Sequence, residues 1–161
     1  MPKLDVSGIG EFSSFLSSLE REINGILKMG IYNGADIIAD TVRASIEALP
    51  IDHGKATEER KLNGINEIQK RGLLDNFGIS PMDDKGGFIN VKIGFSGYND
   101  IKTKQFPKGQ PNVLVARSIE SGSSVSQKKP FVRPALNRSK KQAIEAVQQT
   151  VTNEVKKLER R

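Results

Sequence analysis

From Phe12 to Leu49 the apolar residues fall three and four apart: Phe12, Phe15, Leu16, Leu19, Ile23, Ile26, Leu27, Ile31, Ile38, Val42, Ile46 and Leu49. Residues at those spacings lie one above another on an α-helix, so the stripe predicts one long, slowly drifting helical face. A straight helix of that length extends roughly 55–60 Å at about 1.5 Å per residue, which is long for a chain of this size. Gly30 and Gly34 fall inside the stripe. Each glycine costs about 1 kcal/mol relative to alanine, so a bend or break is expected there. Pro50 ends the segment, because the residue before a proline disfavours the α region.

A second helical stripe closes the chain: Leu136, Ala143, Ile144, Val147, Val151, Val155 and Leu158. Pro134 suits the first turn of that helix, where its missing N–H does no harm. Lys and Arg fill the other faces and the final turn, KKLERR, where cations favour the helix dipole. Between the two helices the period changes. In FINVKIGF, Ile89, Val91, Ile93 and Phe95 alternate with Asn90, Lys92 and Gly94, which is a strand with one buried face. LLDNFGIS precedes it through PMDDKGG, whose glycines suit a turn, so the pair is read as a β-hairpin. Two strands alone are marginal and need helices packed on them.

The remaining segments are read from their breakers. Residues 51–72, IDHGKATEERKLNGINEIQKRG, are polar and weakly patterned, a mobile loop with room for one helical turn, and a candidate to become ordered on docking. Residues 96–111, SGYNDIKTKQFPKGQP, form a Gly/Pro-rich loop. VLVARSIES is read as a short helix capped by Asn112 and stopped at Gly122, although VLVA is also β-friendly. SGSSVSQ is a connector. The expected fold is therefore α+β: one domain over residues 1–161, with a long N-terminal helix and a C-terminal helix packed on a small antiparallel sheet.

The chain has 161 residues, no Cys, no Trp and a single His. Disulfides, thiolate zinc sites, thiol catalysis and multi-histidine metal sites within one chain are excluded. No apolar run approaches the roughly 20 residues that span a bilayer, and MPKLDVSGIGEF lacks a secretory apolar core, so folding in cytoplasm without a membrane is expected. Net charge is +6 and uneven: residues 1–50, 51–100 and 101–161 carry −3, −1 and +10. A one-ended positive charge fits an acidic partner, whether nucleic acid, an acidic protein face or a neighbouring copy, or else a solvated basic face.

Several constellations bear on chemistry. Asp83 and Asp84 lack the spaced oxygen ligands of a calcium loop and read as turn residues. His53 stands in a polar loop with no oriented partner for general-base work. Asp36, Asp40 and Arg43 have the spacing of a helix-surface ion-pair set. No Gly-rich phosphate loop is present; GKATEE lacks the frame that precedes a P-loop lysine. Basic residues in 128–141 and 156–161 suit phosphate contact, but Phe106 and Phe131 are the only aromatics beyond residue 100, few for stacking on single strands. Nothing supports a catalytic residue, a metal or a cofactor.

The stretch VARSIESGSSVSQKKPFVRPALNRSKKQAIEAV resembles a tailed-phage family. Its pattern is Glu-x-Gly-[Ser/Thr], a short linker, and Pro-Phe-[Leu/Val]-Arg-Pro-Ala opening the last helix. Here the positions are Glu120, Gly122, Ser123, Pro130, Phe131, Val132, Arg133, Pro134 and Ala135. The family is the gene-product-ten-like tail-component family of lambdoid coliphages and related prophages, which supplies neck or tail-completion proteins. NGADIIADTVRASIEALP, GFINVKIGFSGY and FPKGQPNVLVARSIESGSS are similar to its long helix, central strand and following segment. The chain departs from it after the first helix, where PIDHGKATEERKLNG replaces a Pro-x-x-Thr-Gly-x-Leu turn. The resemblance implies a non-enzymatic virion protein, made in the host cytoplasm, that forms a homo-oligomeric ring, expected to be a hexamer. Its implied partners are a head-closure or connector protein and a tail-tube or tail-terminator protein, with packaged DNA as a possible non-specific contact. Two prolines fix φ around Phe131 and Arg133, which suits either an interface anchor or a local staple beneath the helix start. Glu120, Gly122, Phe131, Arg133, Pro134, Lys140 and Lys141 are the expected assembly residues. A basic protein that contacts duplex DNA non-specifically is the alternative.

Overall fold

The computed structural model describes residues 7–160. The elements run α1 (Ser7–Glu47), α2 (Glu67–Asp75), β1 (Phe77–Ile79), a 3-10 turn (Lys85–Gly87), β2 (Ile93–Phe95), α3 (Asn112–Ser121) and α4 (Val132–Glu159). The fold is α+β: two long terminal helices, two short ones between them, and a two-stranded antiparallel sheet.

Helix α1 runs unbroken for 41 residues, through both glycines. The expected break is absent because Gly30 and Gly34 face α4. A Cβ at Gly34 would stand 2.6 Å from Val147 Cγ2 and 3.1 Å from the Ala143 carbonyl oxygen, and one at Gly30 would stand 3.2 Å from Val151 Cγ2. The glycines let two helix backbones approach closely, and that contact offsets their poor helix propensity. The two helices run antiparallel, with Arg138 donating to the Ser45 hydroxyl at 3.0 Å and Asn33 donating to Thr150 at 2.9 Å.

The close approach also decides which face of α4 turns inward. Ala135, Ser139 and Ala143, one helical turn apart, are buried. Val147 and Val151 are half-buried beside them. Leu136, Ile144 and Val155, expected on the core-facing stripe, are exposed. Val147 and Val151 fill the space that the glycines leave, and the small Ala135 and Ser139 let the rest of α4 lie close, so the larger Leu136 and Ile144 fall to one side.

The middle of the chain is more regular than expected. Residues 67–72, expected within a loop, belong to α2, which Asn66 and Gln69 start with a reciprocal capping box. Leu73 and Leu74, expected in a strand, complete the same helix, and Leu73 is fully buried. Residues 51–66 are irregular but tied down. Ile51 bridges Ile65, Leu62 bridges Ser126, and the Asp52 carboxylate accepts from Gly54 N–H, Asn63 N–H and Arg60.

The hairpin forms with Phe77, Gly78 and Ile79 opposite Phe95, Gly94 and Ile93. An isolated bridge between Asp83 and Asn90 extends it. Ile89, Val91, Ile93 and Phe95 are each more covered than Asn90 and Lys92, as their alternation predicts. Helix α3 forms over VLVARSIES as expected, but Asn112 does not cap it. Pro111 holds the cap position, and buried Asn112 donates its side-chain amide to the Ser96 carbonyl at 2.9 Å. The core joins Ala39, Val42, Ile46 and Leu49 of α1 and its exit to Ile65, Leu73, Phe77, Val115, Ala116, Ile119, Phe131 and Ala135.

Candidate assembly surface

Glu120 lies in the last turn of α3, and Gly122 reverses the chain after it at φ 76°. That left-handed conformation favours glycine, and a Cβ there would also stand 3.1 Å from the Lys128 side chain. The Lys129 N–H then donates to the Ile119 carbonyl at 2.8 Å, which brings the start of α4 back beside α3. The Glu120 carboxylate accepts from the backbone N–H groups of Phe131, Val132 and Arg133 at 2.7, 2.9 and 3.0 Å.

A helix leaves its first four N–H groups without partners. Here three of the four are bonded to Glu120, and the fourth position is Pro134, which has no N–H. The cap residue Phe131 supplies no side-chain acceptor, so a neighbouring helix supplies it instead. A carboxylate at this end also meets the positive end of the helix dipole. Burial acts to raise the Glu120 pKa. The three N–H donors and the Arg133 guanidinium outweigh it and hold the group below the ordinary carboxylate range. Ser123 ties the connector, its hydroxyl accepting from Val125 and Ser126 N–H.

Phe131 is 4% exposed and meets Phe95 edge-on with ring centroids 6.2 Å apart; Phe95 in turn lies 5.0 Å from Phe77. The Phe131 side chain is therefore consumed by the chain's own core and does not stand out as an anchor for a partner. Of the seven expected assembly residues, Glu120, Gly122, Phe131 and Pro134 build an internal joint between α3 and α4. Arg133, Lys140 and Lys141 are exposed on α4. Lys141 lies 3.9 Å from Glu145 on the same helix, and Lys140 makes no ion pair among the described residues.

Among the described residues, the two terminal helices carry two apolar surfaces outside this joint. By the antiparallel pairing of Asn33 with Thr150, the end of α4 comes level with about residue 24 of α1. The earlier turns of α1 extend past it as an arm, on which residues 11–18 are all exposed. Phe12 and Phe15 are each 60% exposed, and Leu16 and Ile23 are exposed beside them. The second surface is a groove of about 480 Å³ where α1, α4 and the β2 strand meet, its wall formed chiefly by Ile31, Ile38, Val91, Leu136 and Ile144, with Lys140 at its lip. Sequence periodicity placed both stripes on helices but gave no sign of which part each partner helix would cover.

The residues with a bearing on chemistry stand apart from one another. His53 is exposed, 4.0 Å from Glu67. Asp40 pairs with Arg43 at 3.3 Å, and Asp84 with Lys28 at 2.5 Å. Asp83 shares backbone bonds with Asn90. Among the described residues no three His, Asp or Glu side chains converge on one point, and no helix is long and apolar enough to cross a membrane. Asp52, which sequence reading passed over, is the most perturbed acid. Asn63 N–H, then Arg60, then Gly54 N–H lower its pKa to about 2. No family model, curated protein or solved structure matches the chain.

Proposed function

We propose that this chain is a non-enzymatic structural subunit of a long-tailed phage or prophage virion. It acts in head–tail joining or tail completion, as one member of a ring that matches the sixfold symmetry of a tail. Its neighbours are a head-closure or connector protein and a tail-tube or tail-terminator protein. The observation that carries self-association is the free arm of α1, with Phe12, Phe15, Leu16 and Ile23 turned to solvent. Soluble monomers rarely expose contiguous apolar patches larger than a few hundred Å², and larger ones mark interaction sites.

The phage setting rests on the Glu-x-Gly-Ser and Pro-Phe-Val-Arg-Pro-Ala pattern. The joint supports that setting, because it gives the pattern's residues one physical purpose. Glu120 caps, Gly122 turns, Phe131 staples and Pro134 removes the one N–H that Glu120 does not reach. Assembly works by surface complementarity. The acidic N-terminal part of one copy meets the basic C-terminal third of the next, a head-to-tail contact that closes into a ring.

The second reading, non-specific duplex binding, is favoured by one observation: Arg133, Lys140, Lys141, Lys156 and Lys157 are all exposed on α4. Light scattering of the purified protein at low and high salt, with and without duplex DNA, separates the two. A closed oligomer without DNA is expected. A monomer that binds duplex, with affinity falling steeply as salt rises, would replace this reading with the second.

A further inference from the structure

We propose that the arm of α1 in one copy lies in the α1–α4–β2 groove of the next copy. This rests on the ring reading above and names the two surfaces that make its contact. The arm cannot fill its own groove. It is continuous with the part of α1 that contributes Ile31 and Ile38 to the groove wall, so reaching it would require breaking a 41-residue helix. Occupation by a second copy needs no such break.

Charge selects the same pairing. On a helical wheel Glu11 and Glu22 flank one edge of the Phe12–Phe15–Leu16–Ile23 stripe and Glu20 the other, while Arg21 lies on the opposite side. None of the three glutamates makes an ion pair among the described residues, and neither does Lys140 at the groove lip. Lys141 stands next to it, held loosely by Glu145. An arm with apolar centre and acidic edges thus faces a groove with apolar walls and a basic lip. A fully buried phenylalanine removes roughly 150–250 Å² from water; at 60% exposure Phe12 and Phe15, with Leu16 and Ile23, still offer for burial about half of the ~800 Å² per partner of a standard interface. Arm and groove are different surfaces of one chain, so the contact is heterologous and propagates head to tail.

The chain has no cysteine, so introduced thiols report without background. Phe15→Cys protein is mixed with Ile144→Cys protein, oxidised, and the products mapped by peptide mass, with light scattering of the unmodified protein alongside. The mixed disulfide, joining the arm thiol of one variant to the groove thiol of the other, is expected as the major product. A disulfide only between two arms would overturn the proposal in favour of arm-to-arm pairing. No disulfide from a protein that scatters as a closed oligomer would overturn it and leave the ring reading standing. A monomer at every concentration would overturn both. As a second variant, Phe12→Glu/Phe15→Glu changes only exposed side chains. It is expected to reduce the oligomer to monomer while helix content and melting of the chain persist; an unchanged mass would overturn the proposal.

Discussion

At the scale of single residues, Glu120 decides where α4 begins. Its three backbone acceptor bonds come from a different helix, so they fix the angle between α3 and α4 as well as capping one end. Removing a cap costs about 1–2 kcal/mol, and leaving buried donors unpaired adds to it. Glu120→Ala should therefore destabilise the protein by about 2 kcal/mol in a urea melt. Glu120→Gln, which keeps an acceptor oxygen without the charge, should lose about half of that. Asp52 governs acid behaviour in the irregular segment. Its pKa is about 2 in the folded chain against an ordinary 3.8, so the folded state favours the charged form. Its contribution is complete above about pH 4 and is lost as pH falls through about 2. The protection of the Gly54 and Asn63 amides, taken relative to intrinsic exchange at each pH, should fall across that window in the native protein. In Asp52→Asn that protection should be low already at neutral pH and change little on acidification.

At the scale of elements, the α1–α4 pair turns on whether a glycine faces its partner. Gly25 has nothing within 4 Å of a would-be Cβ, whereas Gly34 has Val147 Cγ2 at 2.6 Å and a backbone oxygen at 3.1 Å. Gly25→Ala should stabilise by up to about 1 kcal/mol, the propensity difference alone. Gly34→Ala gains the same propensity, but valine is stiff in a helix and the carbonyl cannot move aside, so overpacking of about 1–3 kcal/mol dominates. Opposite signs in paired thermal melts are the expected result. The same pair shows what the sequence could reveal. Period and terminators placed α1, α4 and the hairpin, because those depend on local spacing. The role of Gly30 and Gly34 was hidden, since it depends on a helix more than a hundred residues away. For the same reason periodicity was only half right about the inward face of α4: Ala143, Val147, Val151 and Leu158 of the expected stripe are covered, whereas Leu136, Ile144 and Val155 are exposed and Ala135 and Ser139 are buried instead. Helix α2 was legible in principle, because Asn66 and Gln69 spell a capping box, but its apolar content is thin. The motif around Phe131 was visible as a joint, yet whether the ring faced inward or outward rested on Phe95, on a distant strand.

At the scale of the whole molecule, charge and apolar surface are segregated together. The first 50 residues carry −3 and include the apolar arm; the last 61 carry +10 and give the groove its α4 wall and Lys140, the rest of the groove coming from α1 and the β2 region. Exposed charges interact over a Debye length of about 10 Å at 0.1 M salt and only about 3 Å at 1 M, while apolar contact does not weaken in that way. Lys140→Glu/Lys141→Glu places two acids where an acidic-edged arm would dock. It should lower the oligomer mass at low salt, and the gap to the unaltered protein should narrow toward 1 M. Helix content should hold, because both side chains are exposed and only Lys141 makes a weak pair. The duplex reading makes a different demand of the same variant. Each phosphate contact removed lowers the salt slope of DNA binding by about 0.9, so loss of both lysines should lower it by about 2 and leave the mass without DNA unaltered. One pair of substitutions, read by mass and by salt slope, thus assigns the basic face of α4 to a neighbouring copy or to DNA.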